Sequence, residues 1–235
     1  MRNYFTFDNT DSRTFGVFLA RTGVYDAPKR AYKAVSVPGR NGDIYIDTGR
    51  MENIKLTYPA VIYAGFDANI EGLRSALCSR AGYKKITDSY HPDEYRLGFF
   101  VDGLTVTPNA VGDRGEFSIT FNCKPQRFLN SGDTETTYAS GDAVTNPTLF
   151  NSKPLIRVYG SGTLSVGSYQ VTIASHSQSY IDIDSDIEDC YCGTTNMNSY
   201  VTLQNYKFPE LAPGANGIEF TGITSIKITP RWFIA

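Results

Sequence analysis

Glu116-Phe-Ser-Ile-Thr-Phe-Asn-Cys123 alternates apolar and polar residues without a break. Phe117, Ile119, Phe121 and Cys123 share one face and the polar residues share the other, the pattern of a strand buried on one side. The same grammar of short β-rich runs, punctuated by Gly, Pro and Asn, recurs over Arg13 to Val24, Val35 to Asp47, Asn53 to Ile62 and Tyr95 to Thr107. The first half of the chain therefore reads as sheet.

One segment breaks that rhythm. Between Phe66 and Arg80 the apolar Phe66, Ile70, Leu73 and Leu77 recur at helical spacing. Asp67 is expected to cap the helix and Gly82 to stop it. A single helix beside a sheet is expected to lay its apolar stripe on that sheet, with Gly72 weakening it by about 1 kcal/mol relative to Ala.

The composition changes after Arg127. Residues 130–152 are rich in Ser, Thr, Asn, Asp and Gly, as expected where a chain enters a new domain, so a boundary is placed near Leu129, dividing the chain into 1–129 and 130–235. Beyond it, Leu155 to Tyr159, Gly162 to Val166, Tyr169 to Ile173, Tyr180 to Asp184, Ser199 to Leu203, Gly217 to Phe220 and Ser225 to Ile228 form a succession of short strands with no helical segment. That density predicts a β-sandwich. Trp232 follows the parity of Ile226 and Ile228 and is expected in its core.

Composition restricts the function classes. With 41% hydrophobic and 13% aromatic residues, the 235-residue chain can build one large core or two modest ones, and a folded, soluble protein is expected. The start MRNYFTFDNT has no basic segment leading into an apolar run, so neither export nor a membrane span is expected. Four cysteines in a cytoplasmically made chain are expected to remain thiols. A formal charge of −2 without a basic block argues against tight binding to a phosphate backbone.

The candidate chemistries are poor. Asp182-Ile-Asp-Ser-Asp-Ile-Glu-Asp189 begins like a calcium loop, but Ile187 stands where Gly is needed and Gly193 where a bidentate Glu is needed. Cys190 and Cys192 lack a second pair for zinc. His91, beside Asp93 and Glu94, could serve as a general base, yet nothing marks a nucleophile for it. No catalytic residue, metal site or cofactor is expected.

More informative is Lys33-Ala-Val-Ser-Val-Pro-Gly-Arg-Asn-Gly-Asp-Ile-Tyr-Ile-Asp47. Its arms alternate like half-buried strands, while Pro38, Gly39, Asn41 and Gly42 supply the fixed and positive φ angles of a strand reversal. The residues alone support a hairpin with a solvated tip, or a ligand loop.

Taken together, the hairpin Val37 to Asp43, the strand ending Leu56-Thr-Tyr-Pro-Ala60, the run Phe121-Asn-Cys-Lys-Pro-Gln-Arg-Phe128, Asn146-Pro-Thr with Pro154 to Gly162, and the closing Phe208 to Gly222 with Ile228 to Phe233 resemble the distal tail protein (Dit) family of long-tailed, non-contractile bacteriophages. The resemblance spans nearly the whole chain. It implies a mainly β protein: an N-terminal ring-forming, tail-tube-like domain with one helix, and a C-terminal galectin-like β-sandwich. It further implies a non-enzymatic virion protein, assembled in the host bacterial cytoplasm as a homo-hexameric hub. That hub joins the tail tube to the tail tip or adsorption apparatus, with the tail-tube protein, the tail-associated tip protein and the tape-measure protein as partners. DNA would be a non-specific passenger through its channel. Pro38, Gly39, Arg40, Asn41, Gly42 and Asp43 would then form an intersubunit contact or line the channel mouth.

Two other functions are compatible with the residues. A galectin-like sandwich can bind carbohydrate for host adsorption, although no cluster of His, Asn, Arg and Trp stands at the spacing such a site uses. A cell-wall hydrolase would need a carboxylate pair in a recognisable setting, which is not evident.

Overall fold

The computed structural model describes residues 2–20, 26–109 and 113–235. The chain separates into two compact units, Met1–Arg127 with Ala235, and Phe128–Ile234. It is mainly β, with one α-helix, Phe66–Cys78, among the described residues.

The first unit is built on a curled sheet whose strands run in the order Thr10–Asp11, Phe5–Phe7, Lys84–Asp88, Glu94–Phe100, Gly115–Leu129, Ile54–Ile62 and Val17–Leu19. At its centre Phe117 lies opposite Ala60, Ile119 opposite Tyr58 and Phe121 opposite Leu56, all antiparallel. Because side chains alternate across a strand, this register puts Phe117, Ile119, Phe121 and Cys123 with Leu56, Tyr58 and Ala60 on one buried face. Phe121 packs edge-on against Phe5, Tyr58 and Phe100.

The helix covers that face. Phe66, Ile70, Leu73 and Leu77 are buried in the same cluster as the sheet residues, as their spacing requires. Its ends differ from expectation. Gly65, in the left-handed region at φ +64°, stands at the N-cap, and Asp67 lies inside the first turn, where its charge still favours the helix dipole. The helix closes at Ser79 rather than at Gly82. Gly72 has a packing reason: a Cβ there would approach the Phe15 ring to 2.9 Å.

The expected strand over Arg13 to Val24 is broken up. Asp11 accepts from the Arg13 backbone N–H and caps a 3-10 turn, Ser12–Phe15, before the strand Val17–Leu19. Residues 21–24 lie outside the described residues.

The second unit is a sandwich formed by bending two long strands. Leu155–Val166 and Gly214–Thr229 each read in the sequence as two short strands, yet each is continuous and they pair antiparallel along their lengths. The ladder shifts register at Gly160 and again before Thr163. A Cβ on Gly162, at φ +148°, would lie 2.0 Å from the Thr221 carbonyl oxygen, so the crossing needs glycine. On one side of the bend Leu155–Val158 pairs with Ile181–Asp184; on the other Gly162–Val166 pairs with Tyr169–Ile173. Side chains from both parts, including Ile156, Leu164, Val171, Ile183 and Ile226, meet in one core that also takes in Trp232.

The acidic run Asp182 to Asp189 is explained by this core. Arg157 holds Asp182 with two hydrogen bonds of 2.7 and 2.8 Å, and Arg231 holds Asp184 with two of 2.6 and 2.9 Å. Buried carboxylates need such partners.

Candidate functional site

Arg30–Val35 and Ile44–Met51 pair only with each other, as a two-stranded antiparallel sheet separate from the larger ones. Val35 lies opposite Ile44, Ala34 opposite Tyr45, Lys33 opposite Ile46 and Tyr32 opposite Asp47. The arm thus carries Tyr32, Ala34 and Tyr45 with Asp47 on one face, and Val35, Ile44 and Ile46 with Lys33 on the other. Both faces are largely apolar and open: Tyr32 is 52% exposed, Tyr45 56%, Ile46 47% and Ile44 37%.

This differs from the half-buried strands expected from the alternation. The period-2 pattern is present, but among the described residues no layer of the first unit covers either face. A lone two-stranded hairpin is marginal in water, and exposed apolar surface of this kind ordinarily marks an interaction site. What holds the arm internally is modest. Tyr32 and Tyr45 stack with ring centroids 5.2 Å apart, Thr48 donates to the Ala31 carbonyl at 2.5 Å, and Arg30 pairs with Asp47 at 3.1 Å. The ion pair is solvent-exposed and contributes on the order of 0–1 kcal/mol.

The tip is a turn with a defined mechanism. Arg40 donates its backbone N–H to the Val37 carbonyl at 3.1 Å, with Pro38 and Gly39 in the central positions and Gly39 at φ +79°. Pro followed by a glycine of positive φ is the requirement of a type II turn. Pro38, Gly39, Arg40, Asn41, Gly42 and Asp43 are all exposed. Among the described residues, neither the Arg40 nor the Asp43 side chain has a partner. The predicted tip residues are therefore together and outward, while Tyr32, Ile44, Tyr45 and Ile46 on the stem add the larger apolar area. Their alternation was visible in the sequence, but whether anything covers them was not.

Residues considered for chemistry have structural roles. His91 sits in a turn organised by Asp88, whose carboxylate accepts from the backbone N–H groups of Tyr90 and His91, both at 2.9 Å, and from the Tyr58 hydroxyl at 2.6 Å. Burial, reinforced by Asp88, pushes the Tyr58 phenol well above its usual range. Glu94 pairs with Arg127 at 3.1 Å. The four cysteines are free, and burial raises the Cys123 and Cys190 thiols to about 12, which leaves them unreactive. Among the described residues, no group of three or more His, Cys, Asp or Glu side chains is placed to hold a metal ion, and no helix is long and apolar enough to cross a membrane.

No protein-family model and no curated protein matches the sequence. Solved structures do match the fold. The Dit protein of phage SPP1, described as a paradigm of the hub adsorption apparatus in Gram-positive infecting phages, aligns over 97% of this chain and 98% of its own with a TM-score of 0.75 at 16% identity. A chain from the baseplate of phage P2 in its activated conformation with Ca aligns over 97% of both chains with a TM-score of 0.56 at 11% identity. The same baseplate with Sr gives 0.55 at 10% identity over 97% of this chain. The chain has the fold of a phage distal tail protein.

Proposed function

We propose that this chain is a structural protein of a phage tail: six copies form a ring that joins the tail tube to the tip or adsorption apparatus. The carrying observation is the free arm, largely apolar on both faces and unattached to either large sheet, in a chain whose fold is that of a hub protein. An arm of this kind gains its stability from a neighbour. If each copy offers its arm to the next, the contact is heterologous, and such contacts close into a ring when the rotation is a whole fraction of a turn. Arg40 and Asp43 at the tip then find their partners across the subunit boundary.

In this reading the first unit carries the ring contacts and the second displays surface to other tail components. The tail-tube protein, the tail-associated tip protein and the tape-measure protein are the neighbours. The channel passes DNA without holding it, a role compatible with a formal charge of −2 because phosphate contacts to Lys and Arg would slow passage. The protein has no catalytic part in this scheme and resides in the virion after assembly in the host cytoplasm. Sedimentation of the purified protein tests it: a species of about six times the 26.0 kDa chain mass is expected, and a monomer at all concentrations would reject it.

A further inference from the structure

A second site lies in the sandwich unit, among the loops at the ends of its strands. Lys153, Tyr169, Ser185, Glu188, Lys207 and Phe208, together with Tyr206 and Glu210, line a cavity of about 280 Å³. Three of its features are unusual.

Ser185 is 1% exposed, and its Oγ has no hydrogen-bond partner among the described residues. A buried hydroxyl without a partner is costly, so a ligand group that shifts the pocket wall enough to reach it would be favoured there. Tyr206 is 97% exposed, and it stands at φ +56° directly after Asn205 at φ +55°. A bulky residue in the left-handed region persists only where its surroundings impose it, and here the backbone spends that strain on displaying an aromatic ring to solvent. The charges balance: Lys153 and Lys207 are offset by Glu188 and Glu210, with Lys153 and Glu188 3.6 Å apart and Glu210 accepting from Asn151 at 3.0 Å.

An anion would meet two carboxylates in this pocket and a cation would meet two ammonium groups. Donors and acceptors side by side, next to an aromatic face, suit a neutral polyhydroxylated ring, which has hydroxyl edges to exchange hydrogen bonds and a C–H face to lie on an aromatic. We propose that the pocket binds one sugar ring of a neutral saccharide, with Tyr206 as its platform, Lys153, Glu188, Lys207 and Glu210 reading hydroxyls, and Ser185 Oγ completing the buried side. The site does not depend on the hub reading, and it lies at loop ends rather than on a sheet face.

The test is saturation-transfer NMR on the full-length protein with glucose, galactose, mannose, rhamnose, N-acetylglucosamine and N-acetylgalactosamine at millimolar concentration. Transfer is expected from at least one sugar. Tyr206→Gly, which suits the positive φ and removes the platform, is expected to weaken that sugar about tenfold. Ser185→Ala should weaken it about threefold while leaving the melting temperature unchanged or higher, since it removes an unpaired buried hydroxyl. Leu149→Ala, an exposed residue that does not line the pocket, should change nothing. Absence of transfer from every sugar, or transfer unchanged by Tyr206→Gly in a folded protein, would overturn the proposal.

Discussion

Tyr32 and Tyr45 stack on each other across the arm at 5.2 Å, with ring planes inclined by 29°, and both still present more than half of their surface to solvent. Aromatic stacking gives the arm some internal order, but the outer ring faces and the aliphatic residues behind them remain without cover. The stem therefore offers a larger uncovered surface than the tip.

Substitution of Tyr45 and Ile46 by Ser should separate association from folding. Exposed positions change subunit stability by about 0.5 kcal/mol or less, whereas loss of apolar anchors at an interface centre costs on the order of 2 kcal/mol each. Light scattering and circular dichroism should show smaller particles with unaltered secondary structure. Unaltered particles would remove the stem from the interface.

Replacing Pro38 to Asp43 by a short Gly-Ser turn addresses the tip alone. The Pro38–Gly39 turn is lost but no core contact is, so the subunit should melt within about 2 °C of the parent while its oligomers weaken. A large fall in melting temperature would instead make the tip a structural element.

Asp184 supplies a pH dependence whose sign is fixed. Burial alone would raise its carboxyl, but the hydrogen bonds and charge of Arg231 outweigh that and hold it below the usual carboxylate range. A carboxylate depressed in the folded state stabilises fully above its unfolded value, and that contribution is lost as pH falls through the lower folded value. Asp184→Asn should cost about 2–3 kcal/mol at pH 7, because it leaves Arg231 largely buried without its charge partner. The gap between thermal melts of the two proteins should begin to narrow below about pH 4 and close only as pH passes the lowered folded value. A gap that does not narrow in acid would show that the pair is not what the substitution removed.

Gly162→Ala should disrupt the second unit. A Cβ 2.0 Å from the Thr221 carbonyl cannot be accommodated by moving a side chain, because the obstacle is backbone. A loss of more than about 2 kcal/mol is expected in urea unfolding, where an exposed glycine such as Gly217, with open space around it and no positive φ, should respond far less.

The two units should also divide the work. A fragment of residues 1–127 retains the arm and its own core and should associate; one of 128–235 has a separate core and should stay monomeric. Size-exclusion chromatography reversing those two results would place the ring contacts in the sandwich.

Where a pattern in the sequence reflects burial directly, the fold was legible. Phe117, Ile119, Phe121 and Cys123 lie on one buried face, and Phe66, Ile70, Leu73 and Leu77 form the helix stripe, because periodicity records which side meets the core. The long bent strands were not legible: Gly160 and Gly162 read as breaks, whereas in three dimensions they let one strand turn a corner. The arm was legible as a hairpin but not as an uncovered one, since alternation in Ile44, Tyr45 and Ile46 is the same whether the covering layer belongs to this chain or to another. Tyr206 and Ser185 had no signal at all, for exposure and an unpaired hydroxyl arise only from tertiary placement.

Whether the arm closes copies of this chain into a ring is visible in electron-microscope class averages of the purified full-length protein. Rings with six-fold symmetry and a central opening are expected, lost when Tyr45 and Ile46 are replaced by Ser. Compact single subunits, or rings that survive that replacement, would contradict it.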